Sequence, residues 1–304
     1  MTVKHGLVLS GGGARGDVEA GAQAAIIAAY KRTSAPVVSL SGTSVGALNA
    51  AGCAAKDHWF PLELWKGLAS NDVYRGNKLG LLWRIWRDSA IYDTTPLWDL
   101  ITSNITTEAL AVSPYALYIH VTLLGTKQPI VFLKDDPDIL TGIYASAAVP
   151  GAFPPVSWNG HWAIDGGTVD NSPIRSLISD GCEKITVIIL DDELPAERVF
   201  ARAIEPGPGK ARPKIAEIIS PALEAMMDAH LRRDLKNVEL VNRLVAAGVG
   251  DEHHRKIDLR VWAPRKDLGG GALDFDLATD GLRAATAYHS ALEWAMQDAH
   301  RFPS

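Results

Sequence analysis

Short apolar runs alternate with alanine-rich stretches in the N-terminal part of the chain. The apolar run from Lys4 to Ser10 predicts a buried strand, and the alanine-rich stretch from Gly16 to Tyr30 predicts a helix directly after it. A second apolar run, from Val37 to Leu40, is followed by another stretch of helical composition. Two strand–helix units in succession predict a parallel sheet covered by helices, which is an α/β fold.

Similar patterns continue to the end of the chain. Further strands are predicted at Tyr115 to Leu123, Pro129 to Leu133, His161 to Ile164, Lys184 to Leu190 and Leu259 to Trp262. Further helices are predicted at Pro137 to Ala148, Pro173 to Gly181, Lys214 to Val245 with a kink at Pro221, and Leu277 to Ala299. No internal repeat is visible, so we expect one domain over residues 1–304 whose part from about residue 213 is mostly helical.

The segment at about residues 58–100 has a different character, because it holds five of the nine tryptophans and no clear strand pattern. We interpret it as a helical cap or insertion. Within it, Leu79, Leu82, Trp83 and Trp86 have the i, i+3, i+4, i+7 spacing of a single helical face, with basic residues beside it. Such a face fits a lid that contacts lipid, and it fits equally a helix packed on the sheet.

Composition and charge narrow the class of protein. A net charge of −5 without a long lysine or arginine run gives no electrostatic footprint for nucleic acid. The two cysteines, Cys53 and Cys182, belong to no Cys/His cluster, so we expect buried free thiols. The stretch between Asp138 and Asp165 contains no Asp, Glu, Lys or Arg, but its prolines exclude a membrane-spanning helix.

The N-terminal apolar run is too short for a signal peptide, and glycines interrupt it. A cytoplasmic protein is therefore expected. Peripheral contact with a membrane surface and secretion without a signal peptide stay open as alternatives, and the oligomeric state is not predicted.

The glycine-rich stretch SGGGARG follows the first predicted strand and admits two interpretations. Gly11, Gly13 and Gly16 have the spacing of a dinucleotide-binding loop, which also requires an acidic residue about 20 to 25 residues further on. The second strand ends at Ser39-Leu40-Ser41 without an acid, which disfavours this interpretation. The other interpretation is a loop that directs backbone N–H groups at a reacting carbonyl oxygen.

The second strand runs directly into Gly42-Thr43-Ser44-Val45-Gly46, the G-x-S-x-G pattern of a nucleophilic serine on a sharp strand-to-helix turn. Gly42 and Gly46 give this turn backbone freedom and let the helix and the strand approach closely. Ser44 is therefore a candidate nucleophile, and its alternative is a structural turn serine.

A serine hydroxyl needs a base, and the nine histidines do not supply an obvious one. Most of them lie on predicted strands or helices or in a charged loop, where a surface or core histidine is expected. Asp165 is a better candidate, since it ends a short apolar strand and precedes Gly166 and Gly167. An ordinary Asp-Gly turn would contain the same tripeptide.

Three motifs, GGGARG, GTSVG and DGG, occur in this order, and the stretch from Ala145 to Pro155 precedes the last of them. Together they span about residues 6–175 and resemble the patatin-like phospholipase family. The stretch LDFDLATDGLRAA adds a weak likeness near the C-terminus. The resemblance implies a three-layer α/β/α sandwich around a mainly parallel sheet, in agreement with the predicted strand–helix units.

The resemblance also implies a role for each motif. Ser44 would be the nucleophile of a Ser-Asp dyad and Asp165 its base, and no metal or organic cofactor is implied. In the oxyanion hole, Gly11, Gly12 and Gly13 would donate backbone N–H hydrogen bonds to the oxyanion, and Arg15 and Gly16 would complete the loop. Because an ordinary aspartate is a weak base, we expect Asp165 to be partly desolvated or the oxyanion loop to carry much of the catalysis.

The leading hypothesis is a serine acyl hydrolase, a phospholipase A or carboxylesterase that cleaves lipid or small ester substrates through an acyl-enzyme intermediate. One alternative is a non-catalytic lipid-binding or storage protein on the same fold. A less favoured alternative is a nucleotide-binding oxidoreductase. The preferred acyl chain length and headgroup depend on the shape of the pocket and are not predicted.

Overall fold

A computed structural model describes residues 2–76, 89–126, 129–190, 233–249, 255–264, 275 and 277–303. Within these residues, eight strands form one sheet, and helices cover both of its faces. The protein therefore has the predicted α/β architecture, a three-layer α/β/α sandwich.

Strands and helices alternate along much of the described chain. The strands are β1 (His5–Leu9), β2 (Val37–Thr43), β3 (Ala116–Leu123), β4 (Pro129–Leu133), β5 (Val156–Trp158), β6 (His161–Asp165), β7 (Lys184–Ile188) and β8 (Asp258–Trp262). The helices are α1 (Gly16–Tyr30), α2 (Val45–Ala55), α3 (Phe60–Trp65), α4 (Ser70–Val73), α5 (Thr95–Asn104), α6 (Thr107–Ala111), α7 (Ile139–Ser146), α8 (Ile174–Ser179), α9 (233–246) and α10 (Leu277–Ala299). Short 3-10 turns occupy Gly13–Arg15 and Gly166–Thr168.

The centre of the sheet is parallel. Strands β3, β2, β1, β7 and β8 lie side by side in this order, and each pair of neighbours is parallel. Strands β4 and β6 pair with β3 in the antiparallel direction, and β5 pairs with β6. The sheet is thus mainly parallel, as predicted, with antiparallel strands on both edges of β3.

Strand β1 lies inside the sheet, and all five of its residues are buried. Leu7 and Leu9 belong to the core on one face, and Val8 belongs to the core on the other. Helices α1, α2, α7 and α10 pack on the first face, and α8 and α9 pack on the second. Because both faces are covered, the strand is a continuous apolar run rather than an alternating one.

Helix α1 is buried along almost its whole length, because α10 packs against it. Small side chains permit this close contact, since a Cβ atom at Gly21 would lie 2.3 Å from the carbonyl oxygen of Ala284. Lys184 of β7 is fully buried and pairs with Asp298 of α10, whose carboxylate also accepts a 2.6 Å hydrogen bond from the Tyr30 hydroxyl. Packing and a buried ion pair therefore both join α10 to the rest of the fold.

Most of the predicted elements are present with bounds that differ by a few residues at most. Strand β5 and helix α6 are not predicted from the sequence. They have three and five residues, which is too short for a recognisable periodicity of apolar residues. Both cysteines are buried free thiols, as predicted, and burial raises the pKa of Cys53 to about 12. Among the helices of the described ranges, none combines the length and the hydropathy of a membrane-spanning segment.

The described parts of the tryptophan-rich segment contain helices α3 and α4 and the start of α5, together with one isolated bridge between Arg75 and Asp93. The proposed helical face of Leu79, Leu82, Trp83 and Trp86 lies outside the described residues, as does the predicted helix from Lys214 up to residue 232. The cap and the single domain over residues 1–304 therefore stay predictions.

Candidate active site

The ends of two strands meet along one edge of β3. On that edge, Thr43 of β2 pairs with His120, and Asp165 of β6 pairs with the next residue, Val121. Strand β4 occupies the opposite edge, because Val121 also pairs with Ile130. Strands β2 and β6 thus run toward each other along this edge and meet end to end, which brings Ser44, directly after β2, next to Asp165.

Ser44 occupies a sharp turn between β2 and α2. Its φ is 57° and its ψ is −129°, a backbone conformation that a residue with a Cβ atom adopts at a cost of about 1–3 kcal/mol. A Cβ atom at Gly42 would lie 2.4 Å from the carbonyl oxygen of Gly46, and one at Gly46 would lie 2.3 Å from that of Leu9. The two flanking glycines therefore allow the close approach of β1, β2 and α2 that the turn requires.

A second serine supports this turn. The backbone N–H of Ser44 donates a 3.0 Å hydrogen bond to the Oγ of Ser146, and that hydroxyl donates a 2.7 Å bond to the carbonyl oxygen of His120. Ser146 is fully buried at the end of α7. Sequence reasoning missed this residue, and the only signal was a hydroxyl within an apolar stretch.

Asp165 is held rigidly and is almost completely buried, with 2% of its surface exposed. Its Oδ1 accepts a 2.7 Å hydrogen bond from the N–H of Gly167, and its own N–H donates to the carbonyl oxygen of Ala148 at 3.0 Å. Its Oδ2 makes no hydrogen bond in the described part of the chain. The nearby hydroxyl of Ser44 favours the ionised carboxylate without forming a full hydrogen bond to Oδ2.

Burial raises the pKa of Asp165 to about 7, and the Ser44 hydroxyl and the Gly167 N–H oppose this rise. The desolvated carboxyl that the sequence argument expected is thus present. A carboxylate with this pKa accepts a proton near neutral pH far better than an ordinary aspartate does.

Two glycines of the loop between β1 and α1 have backbone N–H groups without an acceptor among the described residues. They are Gly12 and Gly13. The N–H of Gly11, in contrast, donates a 3.2 Å hydrogen bond to the carbonyl oxygen of Asn171. The N–H of Gly11 thus anchors the loop, whereas those of Gly12 and Gly13 are available, and the role of the loop as an oxyanion hole stays a prediction.

Arg15 and Gly16 shape the end of the same loop. The N–H of Arg15 donates to the carbonyl oxygen of Gly12 at 3.3 Å, which closes the short 3-10 turn before α1. A Cβ atom at Gly16 would lie 2.2 Å from the Cγ2 of Val45, so the first turns of α1 and α2 are in direct contact. The loop and the Ser44 turn consequently form one packed unit.

The model of the patatin-like phospholipase family matches residues 7–178, which is more than half of the chain and includes the glycine loop, Ser44 and Asp165. The chain belongs to this family. The match ends at α8, so β7, α9, β8 and α10 lie beyond the matched region.

Curated relatives match the chain at low identity. The chain is 26% identical over 214 residues to lysophospholipase NTE1 of Saccharomyces cerevisiae, and the match covers 63% of this chain and 11% of the yeast protein. It is 27% identical over 203 residues to lysophospholipase NTE1 of Cryptococcus neoformans var. neoformans, and this match covers 63% of this chain and 12% of the fungal protein. The chain therefore corresponds to a small part of these relatives' length.

A solved structure, that of VipD from Legionella pneumophila, is similar over 98% of this chain and 67% of that chain. The sequence identity is 14% and the TM-score is 0.48.

The patatin-like site contains a buried histidine that is not placed as a base. Burial lowers the pKa of His120 to about 3, so its ring is neutral at ordinary pH. Its Nε2 lies 2.9 Å from the Oγ of Ser176 and 3.3 Å from the Oγ of Ser41. His120 thus packs in the core beneath the site, in agreement with the core histidine expected from the sequence.

Metal ligands are not clustered in the described part of this patatin-like chain, where no group of three His, Cys, Asp or Glu side chains is arranged to hold an ion. The prediction of a cofactor-independent reaction stays a prediction.

Proposed function

We propose that the protein is a serine acyl hydrolase of lipid or other carboxylic esters, with Ser44 as the nucleophile and Asp165 as the general base. The observation that carries this proposal is the position of Ser44, on a turn with positive φ, beside a buried carboxyl group whose pKa is raised to about 7. Membership of the patatin-like family and the similarity to proteins named lysophospholipases support a lipid ester as the substrate class.

In the first half of the proposed reaction, the Oγ of Ser44 attacks the ester carbonyl carbon while Asp165 accepts the hydroxyl proton at Oδ2. The carbonyl oxygen becomes an oxyanion, and the N–H groups of Gly12 and Gly13 donate hydrogen bonds to it. A single donor of this kind is worth about 3 kcal/mol in the transition state. The tetrahedral intermediate then expels the alcohol, which takes the proton from Asp165, and an acyl-enzyme remains.

In the second half, a water molecule replaces the alcohol. Asp165 accepts a proton from this water as it attacks the acyl carbon of the ester on Ser44. The Gly12 and Gly13 donors stabilise the second oxyanion in the same way. Its collapse breaks the bond to Ser44, which regains its proton from Asp165, and releases the carboxylic acid.

The proposal is tested by the release of p-nitrophenol from esters of increasing acyl length and of fatty acid from lysophosphatidylcholine. Ser44→Ala and Asp165→Asn are each expected to lower kcat at least about 1,000-fold, as removal of a nucleophile or its base does in serine hydrolases. Ser39→Ala is the matched control, because it removes another buried hydroxyl from the same strand, one that bonds to Asp180.

Each outcome distinguishes between hypotheses. Turnover by wild type and Ser39→Ala with loss in both site variants supports the Ser44–Asp165 mechanism. Activity that survives Ser44→Ala contradicts it. Ligand binding without any turnover in wild type, with binding unchanged in Ser44→Ala, supports the non-catalytic lipid-binding alternative.

A further inference from the structure

One short segment after Asp165 contacts both the glycine-rich loop and the end of β2, which precedes Ser44. Residues 170–173 lie beneath the ends of β1 and β2, and all four are buried. Two of the contacts are with β2: the Oγ1 of Thr43 donates to the carbonyl oxygen of Asp170 at 3.1 Å, and the Oγ of Ser41 donates to that of Pro173 at 3.0 Å. The other two are with the chain after β1: the Oγ of Ser10 lies 2.6 Å from the Oγ of Ser172, and Gly11 bonds to Asn171.

The contact between Asn171 and Gly11 is reciprocal. The N–H of Gly11 donates to the carbonyl oxygen of Asn171 at 3.2 Å, and the Nδ2 of Asn171 donates to the carbonyl oxygen of Gly11 at 3.3 Å. The orientation of the side-chain amide follows from this contact, because a carbonyl oxygen only accepts and must face the NH2 group. The amide oxygen of Asn171 is buried without a hydrogen bond in the described part of the chain, so the Nδ2 donor is what keeps this side chain in place.

The bond from Asn171 acts on the peptide group that carries one of the proposed oxyanion donors. The carbonyl oxygen of Gly11 and the N–H of Gly12 belong to the same planar peptide group and point in opposite directions. When Nδ2 of Asn171 holds that oxygen, the Gly12 N–H is directed to the other side of the loop. Three consecutive glycines have little intrinsic preference for one conformation, so the loop depends on such an external contact.

We infer that Asn171 is a positioning residue, which orients the peptide group between Gly11 and Gly12 so that the N–H group of Gly12 faces the oxyanion. The inference rests on the proposed function. Asn171 follows Asp165 through the Gly166–Thr168 turn, in which the N–H of Asp170 donates to the carbonyl oxygen of Gly166 at 2.9 Å. The segment from Asp165 to Asn171 consequently carries the proposed base at one end and, at the other, the side chain that holds the glycine loop.

The test compares Asn171→Ala and Asn171→Asp with wild type. Both variants lose the Nδ2 donor, and the aspartate keeps the shape of the side chain, so it carries the test if the alanine variant does not fold. We expect kcat to fall about 10- to 100-fold, as misplaced catalytic groups do, with KM within about threefold of wild type. In Asn171→Ala the pH midpoint of the rate is expected to stay near that of wild type, because the charges around Asp165 are unchanged.

Asn242→Ala is the matched control, since the Nδ2 of Asn242 also donates to a backbone carbonyl oxygen, that of Ile257 at 2.8 Å, away from the site. The Oδ1 of Asn242 additionally accepts from the N–H of Ile257 at 2.8 Å. Asn242→Ala is expected to lower the melting temperature without changing kcat. A purely structural role of Asn171 would give the same result as this control, which would overturn the inference.

A second measurement does not depend on turnover. Hydrogen–deuterium exchange of the Gly11 amide, which donates to the carbonyl oxygen of Asn171, is expected to become faster in Asn171→Asp than in wild type and in Asn242→Ala. Unchanged exchange of this amide overturns the inference. If wild type shows no ester turnover but exchange is faster in Asn171→Asp, Asn171 positions the loop and only the proposed function is contradicted.

Discussion

The carboxyl group of Asp165 sets the pH range of the proposed reaction at the scale of a single residue. An aspartate in water is ionised well below neutral pH, but burial destabilises the charged form and raises the pKa of Asp165 to about 7. Only the ionised form can accept the proton of Ser44. The fraction of active enzyme therefore falls as the pH drops through about 7.

The expected pH dependence of kcat/KM for a soluble p-nitrophenyl ester is a rise to a plateau with an apparent midpoint near 7. The measurement covers pH 5 to 9, with the chemical hydrolysis of the ester subtracted. Ser39→Ala should show the same midpoint as wild type, because the hydroxyl that it removes bonds to Asp180 and not to Asp165. A rate that is constant across this range, or a midpoint near that of an unperturbed aspartate, would contradict the role given to Asp165.

The residues of the candidate site differ in how far they were predictable. Ser44 and Asp165 stand in short motifs at the ends of predicted strands, so the local pattern was enough to single them out. Ser146 and Asn171 act through contacts with residues far away in the chain, Ser44 and Gly11 respectively. Nothing in their immediate neighbours encodes such contacts, because these form only after the sheet is assembled.

At the scale of elements, the turn at Ser44 depends on how closely β1, β2 and α2 approach one another. A methyl group at position 46 would meet the carbonyl oxygen of Leu9 at 2.3 Å, and neither the strand nor the helix can move without disturbing the sheet. We therefore expect Gly46→Ala to lower the free energy of unfolding by about 3 kcal/mol. It should also displace Ser44 and reduce kcat strongly.

The control for this substitution is Gly281→Ala, in α10, where an added methyl group meets no atom within 4 Å. In that helix the same change is expected to stabilise the protein by about 0.5–1 kcal/mol and to leave kcat unchanged. Urea unfolding and ester hydrolysis measured on both variants give the comparison. Equal stability of the two variants would show that the contact between α2 and β1 is looser than the structure has it.

The elements themselves were predictable where burial on both faces or a helical period produced a long pattern, as in β1, α1 and α10. Strand β5 has three residues and depends on pairing with β6, so its own sequence carries too little signal. The antiparallel approach of β6 to β3 was not predicted either. This approach is what places Asp165 beside Ser44, because a parallel β6 would have ended at a different position along β3.

For the whole molecule, α10 connects the C-terminal part of the chain to the candidate site. Arg283 of α10 forms a two-pronged contact with the buried carboxylate of Asp17, with distances of 3.1 and 3.2 Å, and its guanidinium also donates to the carbonyl oxygen of Ala14 at 3.1 Å. Asp17 lies in the first turn of α1, and Ala14 lies in the glycine loop. Arg283 belongs to the C-terminal stretch whose likeness to the family is weak, so its contact with the loop could not be derived from the motifs.

Arg283→Ala is expected to lower the free energy of unfolding by about 2–4 kcal/mol, because it removes the guanidinium from a carboxylate that has no exposure to water. Arg243→Ala is the matched control. Arg243 pairs with Glu239 on the exposed side of α9, where such a contact contributes about 0.5 kcal/mol or less. Thermal and urea unfolding, each followed by circular dichroism and by tryptophan fluorescence, provide the measurement.

If the chain is one domain, as predicted, wild type and Arg283→Ala should each unfold in a single transition that both probes report at the same denaturant concentration. The transition of the variant should lie lower as a whole, because α10 and α1 share a core with the sheet. A separate early transition in Arg283→Ala would instead mean that α10 unfolds by itself. In that case the C-terminal helix would be a detachable support of the glycine loop, and the prediction of a single cooperative domain would be wrong.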